Sequence, residues 1–111
     1  MEKSLSEQII DAASEVHRSL GPGLLENVYE SALCYELSLR GLSFQRQVPI
    51  PVLYKGVSVR DPLFLDVLVE NQIVIEVKAT DKNYPYHQIQ LFTHLRLLGV
   101  KSGLLINFGK P

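Results

Sequence analysis

The chain has 111 residues, 46% of them hydrophobic and 21% charged, and a mean hydropathy of +0.08. That length has room for one domain, spanning residues 1–111, and the composition excludes a disordered, collagen-like or coiled-coil chain. The formal net charge is −1, so the strongly basic balance typical of nucleic-acid binders is missing.

The charge is unevenly spread. Residues 1–36 carry seven acids and two bases, a net of −5, whereas residues 37–111 carry nine bases and five acids, a net of +4. An acidic first third and a basic remainder permit a basic working face. A single cysteine, Cys34, excludes an internal disulfide and a cysteine-rich zinc site. No apolar run approaches the roughly 18 residues of a membrane span, and Met1–Asp11 lacks a signal peptide's apolar stretch. A cytoplasmic protein with no membrane partner is expected.

Ser4 and Glu7 form a capping-box pattern that opens a first helix, continued by Ile9, Ile10, Ala13, Val16 and Leu20 at helical spacing. Gly21-Pro22-Gly23 ends it. A second helix is predicted from Leu24 to Arg40, with an apolar stripe of Leu25, Val28, Tyr29, Ala32, Leu33 and Leu37 and a stop at Gly41. Phe44–Tyr54 is rich in β-formers but contains Pro49 and Pro51, which suits an edge strand. Lys55-Gly56 reads as a turn, and Val57–Val69 as extended chain broken near Asp61-Pro62. Glu70-Asn71-Gln72 is a turn leading to a strand over Ile73–Ala79. After a polar loop, Thr80–Pro85, a third helix is predicted over Tyr86–Leu98, with Ile89, Phe92 (or Leu91), Leu95 and Leu98 inward and Gly99 closing it. Gly103–Phe108 is a last buried strand. The order α-α-β-β-β-α-β predicts an α/β fold with a mixed sheet flanked by helices.

The central hairpin is chemically anomalous. Leu63–Val69 and Ile73–Ala79 are near-continuous apolar runs, yet Asp66, Glu76 and Lys78 interrupt them. Burying an ionised group is costly unless it is paired or binds a metal. A hairpin turning about Asn71 sets Asp66 opposite Glu76, and opposed side chains have Cβ atoms about 4.5–5.5 Å apart. Lys78 lies two residues beyond Glu76 and shares its face. Two carboxylates that repel each other are relieved by a divalent cation, and oxygen ligands suit Mg²⁺ or Mn²⁺. The lysine can stabilise developing negative charge or help position a metal-bound water. The bland alternative is a buried ion network with no catalysis.

Other candidates are weaker. Glu26 stands in the first turn of the second helix, where an acid also complements the helix dipole. Gln90 lies on or near the apolar side of the third helix, and His87, one turn earlier, has the reach to join a site there. His17 and His94 are expected on helix surfaces or at core edges, and the three histidines lack zinc-ligand spacing. Cys34 has no evident activating base and is expected to pack.

These residues form a familiar series. Gly23, Glu26 and Tyr29 match a G-x-x-E-x-x-Y signature, followed in order by Asp66, Glu76-Val77-Lys78, Gln90 and Gly103–Gly109. The chain is similar over nearly its whole length to the GxxExxY family, which resembles the PD-(D/E)XK, restriction-endonuclease-like nucleases. The resemblance implies an α-β-β-β-α-β core with an extra N-terminal helix. It implies Asp66 and Glu76 as metal ligands, joined by Glu26 from the helix, Lys78 as the catalytic lysine, and Gln90 as a supporting residue. Leu65 stands where the motif's proline is usually written.

The expected function is that of a divalent-metal-dependent nuclease using Mg²⁺ or Mn²⁺, acting on nucleic acid with DNA favoured over RNA. Arg46, Lys55, Arg60, Lys82 and Lys101 are candidate phosphate contacts, which fix position but not sequence. A homodimer would supply the two active sites that a duplex cut needs. The alternatives are a non-catalytic module binding nucleic acid or protein on the same fold, and an interaction domain with a buried ion network.

Overall fold

The computed structural model describes residues 3–109. Ser4 opens α1 (Leu5–Leu20) as its pattern requires: the hydroxyl accepts from the Glu7 N–H and donates to the Glu7 carboxylate. The helix ends at Gly21, whose φ of +68° favours glycine. Ile10 and Leu20, expected inside, are exposed, while Ile9, Ala12, Ala13 and Val16 are buried.

The second helix, α2 (Glu26–Leu39), starts two residues later than the sequence predicts, because Leu25 is extended as its N-cap. Leu25 and Val28 are exposed, and the buried face is Tyr29, Glu30, Leu33, Cys34 and Leu37. Tyr29 sets that rotation. Its ring stacks on Phe108 at 4.7 Å, and its hydroxyl accepts from the Leu24 N–H and donates to the Gly21 carbonyl. One side chain thus ties the loop between the helices to the end of the sheet.

The remaining elements are β1 (Phe44–Ile50), β2 (Leu53–Tyr54), β3 (Val57–Ser58), β4 (Leu63–Val69), β5 (Ile73–Lys78), α3 (Pro85–Leu98) and β6 (Ser102–Asn107). A four-stranded sheet has the order β1-β4-β5-β6, antiparallel except for the parallel β5–β6 pair. The mixed sheet flanked by helices is therefore present, and β1, which contains Pro49, is an edge strand as expected. β2 and β3 form a separate small hairpin around Lys55-Gly56, both residues at positive φ. No helix among the described residues is long and apolar enough to cross a membrane.

The two faces carry separate cores. On one, α1 and α2 pack Ile9, Val16, Tyr29, Leu33 and Leu37 against Val67, Val69, Ile75 and Val77. On the other, Leu91 and Leu95 of α3 pack against Ile50, Leu65, Leu68 and Val74. The inward face of α3 is rotated from part of the predicted one: Leu95, and Leu91 rather than Phe92, are buried as expected, but Ile89 and Phe92 are 63% and 64% exposed and His87 is buried. Gly103 explains this rotation. A Cβ there would lie 3.0 Å from Leu91 Cδ1, so the missing side chain makes room for the leucines.

The sheet alternation breaks at one level. Phe44 packs with the α1/α2 core but Val48 and Ile50 with the α3 core; in β4, Val67 and Val69 join the first and Leu63 and Leu65 the second. Both strands switch faces between the pairs Arg46↔Val67 and Val48↔Leu65, where Gln47 takes φ +49°. The residue of β4 at that level is Asp66.

Gly109 closes the sheet end against Thr80: a Cβ on it would lie 2.2 Å from the Thr80 carbonyl oxygen. Gly109→Ala is expected to cost about 1–3 kcal/mol through this clash and to lower the melting temperature by several degrees. An unchanged thermal melt would contradict the close approach.

Candidate active site

The β4–β5 hairpin is set by its turn. Glu70 and Asn71 both have positive φ, +53° and +54°. Glu70 is fixed by its N–H to the Ser43 carbonyl at 2.9 Å, and its carboxylate accepts from the Ser43 hydroxyl at 2.6 Å. The resulting register, Val69↔Ile73 to Val67↔Ile75, is the one predicted from a turn about Asn71.

The pairing then stops short of Asp66 and Glu76. The ladder therefore does not include the pair Asp66↔Glu76 that the hairpin register predicts. The Asp66 Oδ2 accepts the Val77 N–H at 2.7 Å, so the carboxylate takes the place of a strand-to-strand bond and sits between β4 and β5.

Glu76 is buried on the α3 face, with its Oε1 2.9 Å from His94 Nδ1 and the two side chains only 8% and 16% exposed. Lys78, half-buried, ends β5. Burial is the main cause that raises the pKa of Asp66; the Val77 N–H and Lys78 oppose it, and Glu30 and Glu26 add to it. Burial likewise raises that of Glu76, against the His94 bond and Lys78 and with the help of Asp66. Asp66, Glu76 and Lys78 therefore act on one another. The removal of two carboxylates from water is the electrostatic signature of the site.

Glu26 is exposed in the first turn of α2, and its charge is felt at Asp66. Glu30, one turn later, was not singled out by the sequence. It is buried and accepts from Arg46 Nη2 at 2.9 Å and Gln47 Nε2 at 3.0 Å. This cluster holds Gln47 in its left-handed conformation beside Asp66. Arg46, read from sequence as a phosphate contact, is thus partly engaged by an acid.

Gln90 is exposed on α3 rather than on its apolar side, one turn before His94. It is His94, expected at a surface or core edge, that reaches Glu76. A signal was available: His87, Leu91 and His94 share one helical face with the predicted Leu95 and Leu98. His87 is buried instead among aromatic rings, edge-on to Tyr84 and Tyr86. Cys34 packs, with burial pushing its thiol up to about 11.

Among the described residues no group of three or more His, Cys, Asp or Glu side chains is gathered tightly enough to cage a metal. Asp66 and Glu76 offer a pair of oxygen donors. Each carboxylate is anchored through one oxygen, leaving Asp66 Oδ1 and Glu76 Oε2 for a ligand.

A family model described as the PD-(D/E)XK nuclease superfamily matches residues 3–111. No curated protein and no solved structure matches the chain.

The raised carboxylates give a signed pH dependence. Their stabilising contribution is complete below the unfolded carboxylate pKa, about 4, and is lost as pH rises through the higher folded values. Asp66→Asn keeps an oxygen for the Val77 N–H and removes the half-buried charge. In chelator at pH 7 it is expected to melt higher than the wild type and to lose less stability from pH 4 to 7. A lower melting temperature with an unchanged pH profile would contradict this.

Proposed function

The chain belongs to the PD-(D/E)XK nuclease superfamily, and from that premise we propose that it is a divalent-metal-dependent nuclease hydrolysing nucleic-acid phosphodiesters, with DNA the favoured substrate. Gly23, Glu26 and Tyr29 favour the GxxExxY group within the superfamily. One observation carries the reading: half-buried Asp66 and buried Glu76, both in charge-disfavouring surroundings and both within the influence of the Lys78 charge, are each anchored through one oxygen, which leaves the other for a ligand.

The donor set fits Mg²⁺ or Mn²⁺. Mg²⁺ is commonly held by one or two carboxylates with waters and substrate oxygens completing its shell, which suits a pair of acids without a protein cage. Asp66 and Glu76 would hold the ion, and exposed Glu26 would add charge from α2. The cation supplies Lewis acidity and an activated water for in-line attack on phosphorus. The charge of Lys78 acts on both carboxylates, and its ammonium would stabilise negative charge building on the phosphoryl oxygens. His94 holds Glu76 through Oε1 and fixes which way the other oxygen points, a positioning role that the resemblance had given to Gln90. Gln90, exposed one turn earlier, is left to meet substrate.

The main alternative, a module that keeps the fold without turnover, leaves the costly burial of two acids unexplained. A structural ion network would pair both acids with bases at close range; Glu76 has such a partner in His94, but Asp66 is anchored by a backbone N–H.

Mn²⁺ is expected to raise the melting temperature of the wild type, and Glu76→Gln to abolish the shift. Lys78→Ala should cut metal-dependent cleavage by about 10²-fold or more while keeping the thermal response to metal. Cleavage of single-stranded and duplex DNA and of RNA reads the substrate. Wild-type protein without metal response or cleavage would sink the nuclease reading.

His94→Ala is expected to weaken Mn²⁺ binding about 10- to 100-fold, the usual cost of losing a residue that orients a ligand. His94→Gln, which can still donate to Glu76, should recover part of it. Calorimetric titration measures both, and equal affinity in all three proteins would remove the positioning role.

A further inference from the structure

A cavity of about 300 Å³ opens between the start of α3 and β6, lined by Asn83, Tyr84, Pro85, Gln88, Leu105 and Asn107. Its floor adjoins the candidate active site. Leu105 and Asn107 are the β6 partners of Glu76 and Lys78 in the parallel ladder. The cavity therefore lies one strand from those residues, at the carboxyl end of parallel strands, where α/β sheets commonly receive ligands.

The walls have a consistent chemistry. None of the lining residues is charged, so the cavity has no cation to hold a phosphate by charge and suits a neutral, planar, hydrogen-bonding group. Tyr84 is 38% exposed, and its ring is held by Tyr86 and His87 at centroid distances of 5.6 and 5.4 Å. Gln88 is exposed and carries both a donor and an acceptor. Asn83 Oδ1 accepts from the Asn107 amide at 3.1 Å, which leaves the Asn83 amide N–H groups to donate.

The shape is built in advance. Asn107 Oδ1 accepts from the Thr80 N–H at 3.1 Å and the Gly109 N–H at 2.9 Å. Its amide nitrogen donates to the Thr80 hydroxyl and Asn83, at 3.3 and 3.1 Å. One side chain thus pins the loop that forms the cavity's rim. The volume is near the lower end of ligand pockets, roughly 300 Å³, so one nucleoside-sized group fits and a larger ligand does not.

We propose that this cavity is a subsite for one unpaired nucleobase of the nucleic-acid substrate, next to the phosphate presented to Asp66, Glu76 and Lys78. The inference rests on the nuclease reading and narrows its substrate. A base inside a duplex has its faces stacked and its edge paired, and enters such a pocket only after being pulled from the stack. The subsite therefore selects single strands, overhangs or flaps over continuous duplex.

The test is fluorescence anisotropy with a short labelled single strand and the blunt duplex of the same sequence, in Ca²⁺ in place of Mg²⁺. Tyr84→Ala is expected to weaken single-strand binding about 5- to 100-fold, the range for losing one base–aromatic stack. Duplex binding should change by less than about twofold, a margin below the loss of any stack. Tyr84→Trp should retain single-strand affinity, and exposed Gln88→Ala should reduce it without lowering the melting temperature. Equal losses on both substrates, or no loss on the single strand from Tyr84→Ala and Gln88→Ala, would overturn the subsite. If the wild type still cleaves with metal in that case, the nuclease reading stands; if it neither binds nor cleaves nucleic acid, both fall.

Discussion

Asp66 occupies a place that the sheet would otherwise fill with a backbone bond. Its carboxylate accepts the Val77 N–H at 2.7 Å, between two strands whose regular pairing ends one residue earlier. This single substitution of side chain for backbone has several consequences. It satisfies a donor that would be orphaned inside the sheet. It brings an acid from β4 alongside Glu76 and Lys78 of β5. It also requires β1 and β4 to exchange the faces they present, which Gln47 permits by adopting φ +49°. Glu30 and Arg46 hold that strained residue from α2 and β1. The sheet's irregularity and its chemistry are thus one feature.

The arrangement has an energetic cost. Asp66 and Glu76 are both driven toward their protonated forms by burial, and nearby acids add to it, Glu30 and Glu26 at Asp66 and Asp66 at Glu76. Such groups reduce stability at neutral pH unless a cation joins them. Natural proteins tolerate local costs of this kind where function needs them. The large apolar cores on either side, from Tyr29 and Phe108 on one to Leu91 and Leu95 on the other, supply the compensating burial.

Much of this was legible in the sequence. The hairpin register followed from the turn at Asn71 and the length of two apolar runs. The order of helices and strands, the edge position of β1 and the mixed sheet followed from periodicity and from Pro49. Three features were not legible, each for a physical reason. The rotation of α3 depends on Gly103, whose missing side chain is matched to Leu91 and Leu95 across the fold; helical spacing alone could not choose between two apolar stripes. The partnership of His94 with Glu76 follows from that rotation. The face switch depends on Gln47, a residue whose type does not announce a positive φ. The site roles of Glu26 and Gln90 came from resemblance, and both side chains are exposed, Glu26 acting on Asp66 through its charge.

The net charge of −1 also has a clearer meaning. Much of the acidity belongs to the first two helices, and Asp66 and Glu76 account for part of the rest. A divalent cation between them would offset their charge where substrate approaches, leaving the basic residues of the sheet half to meet phosphates. The most direct measurement is a crystal structure of the protein grown with Mn²⁺, with the metal located by its anomalous scattering. One ion bound by both Asp66 and Glu76 beside Lys78 is the result expected of a metal-dependent nuclease. Well-ordered Asp66 and Glu76 side chains with no ion between them at saturating Mn²⁺ would contradict it.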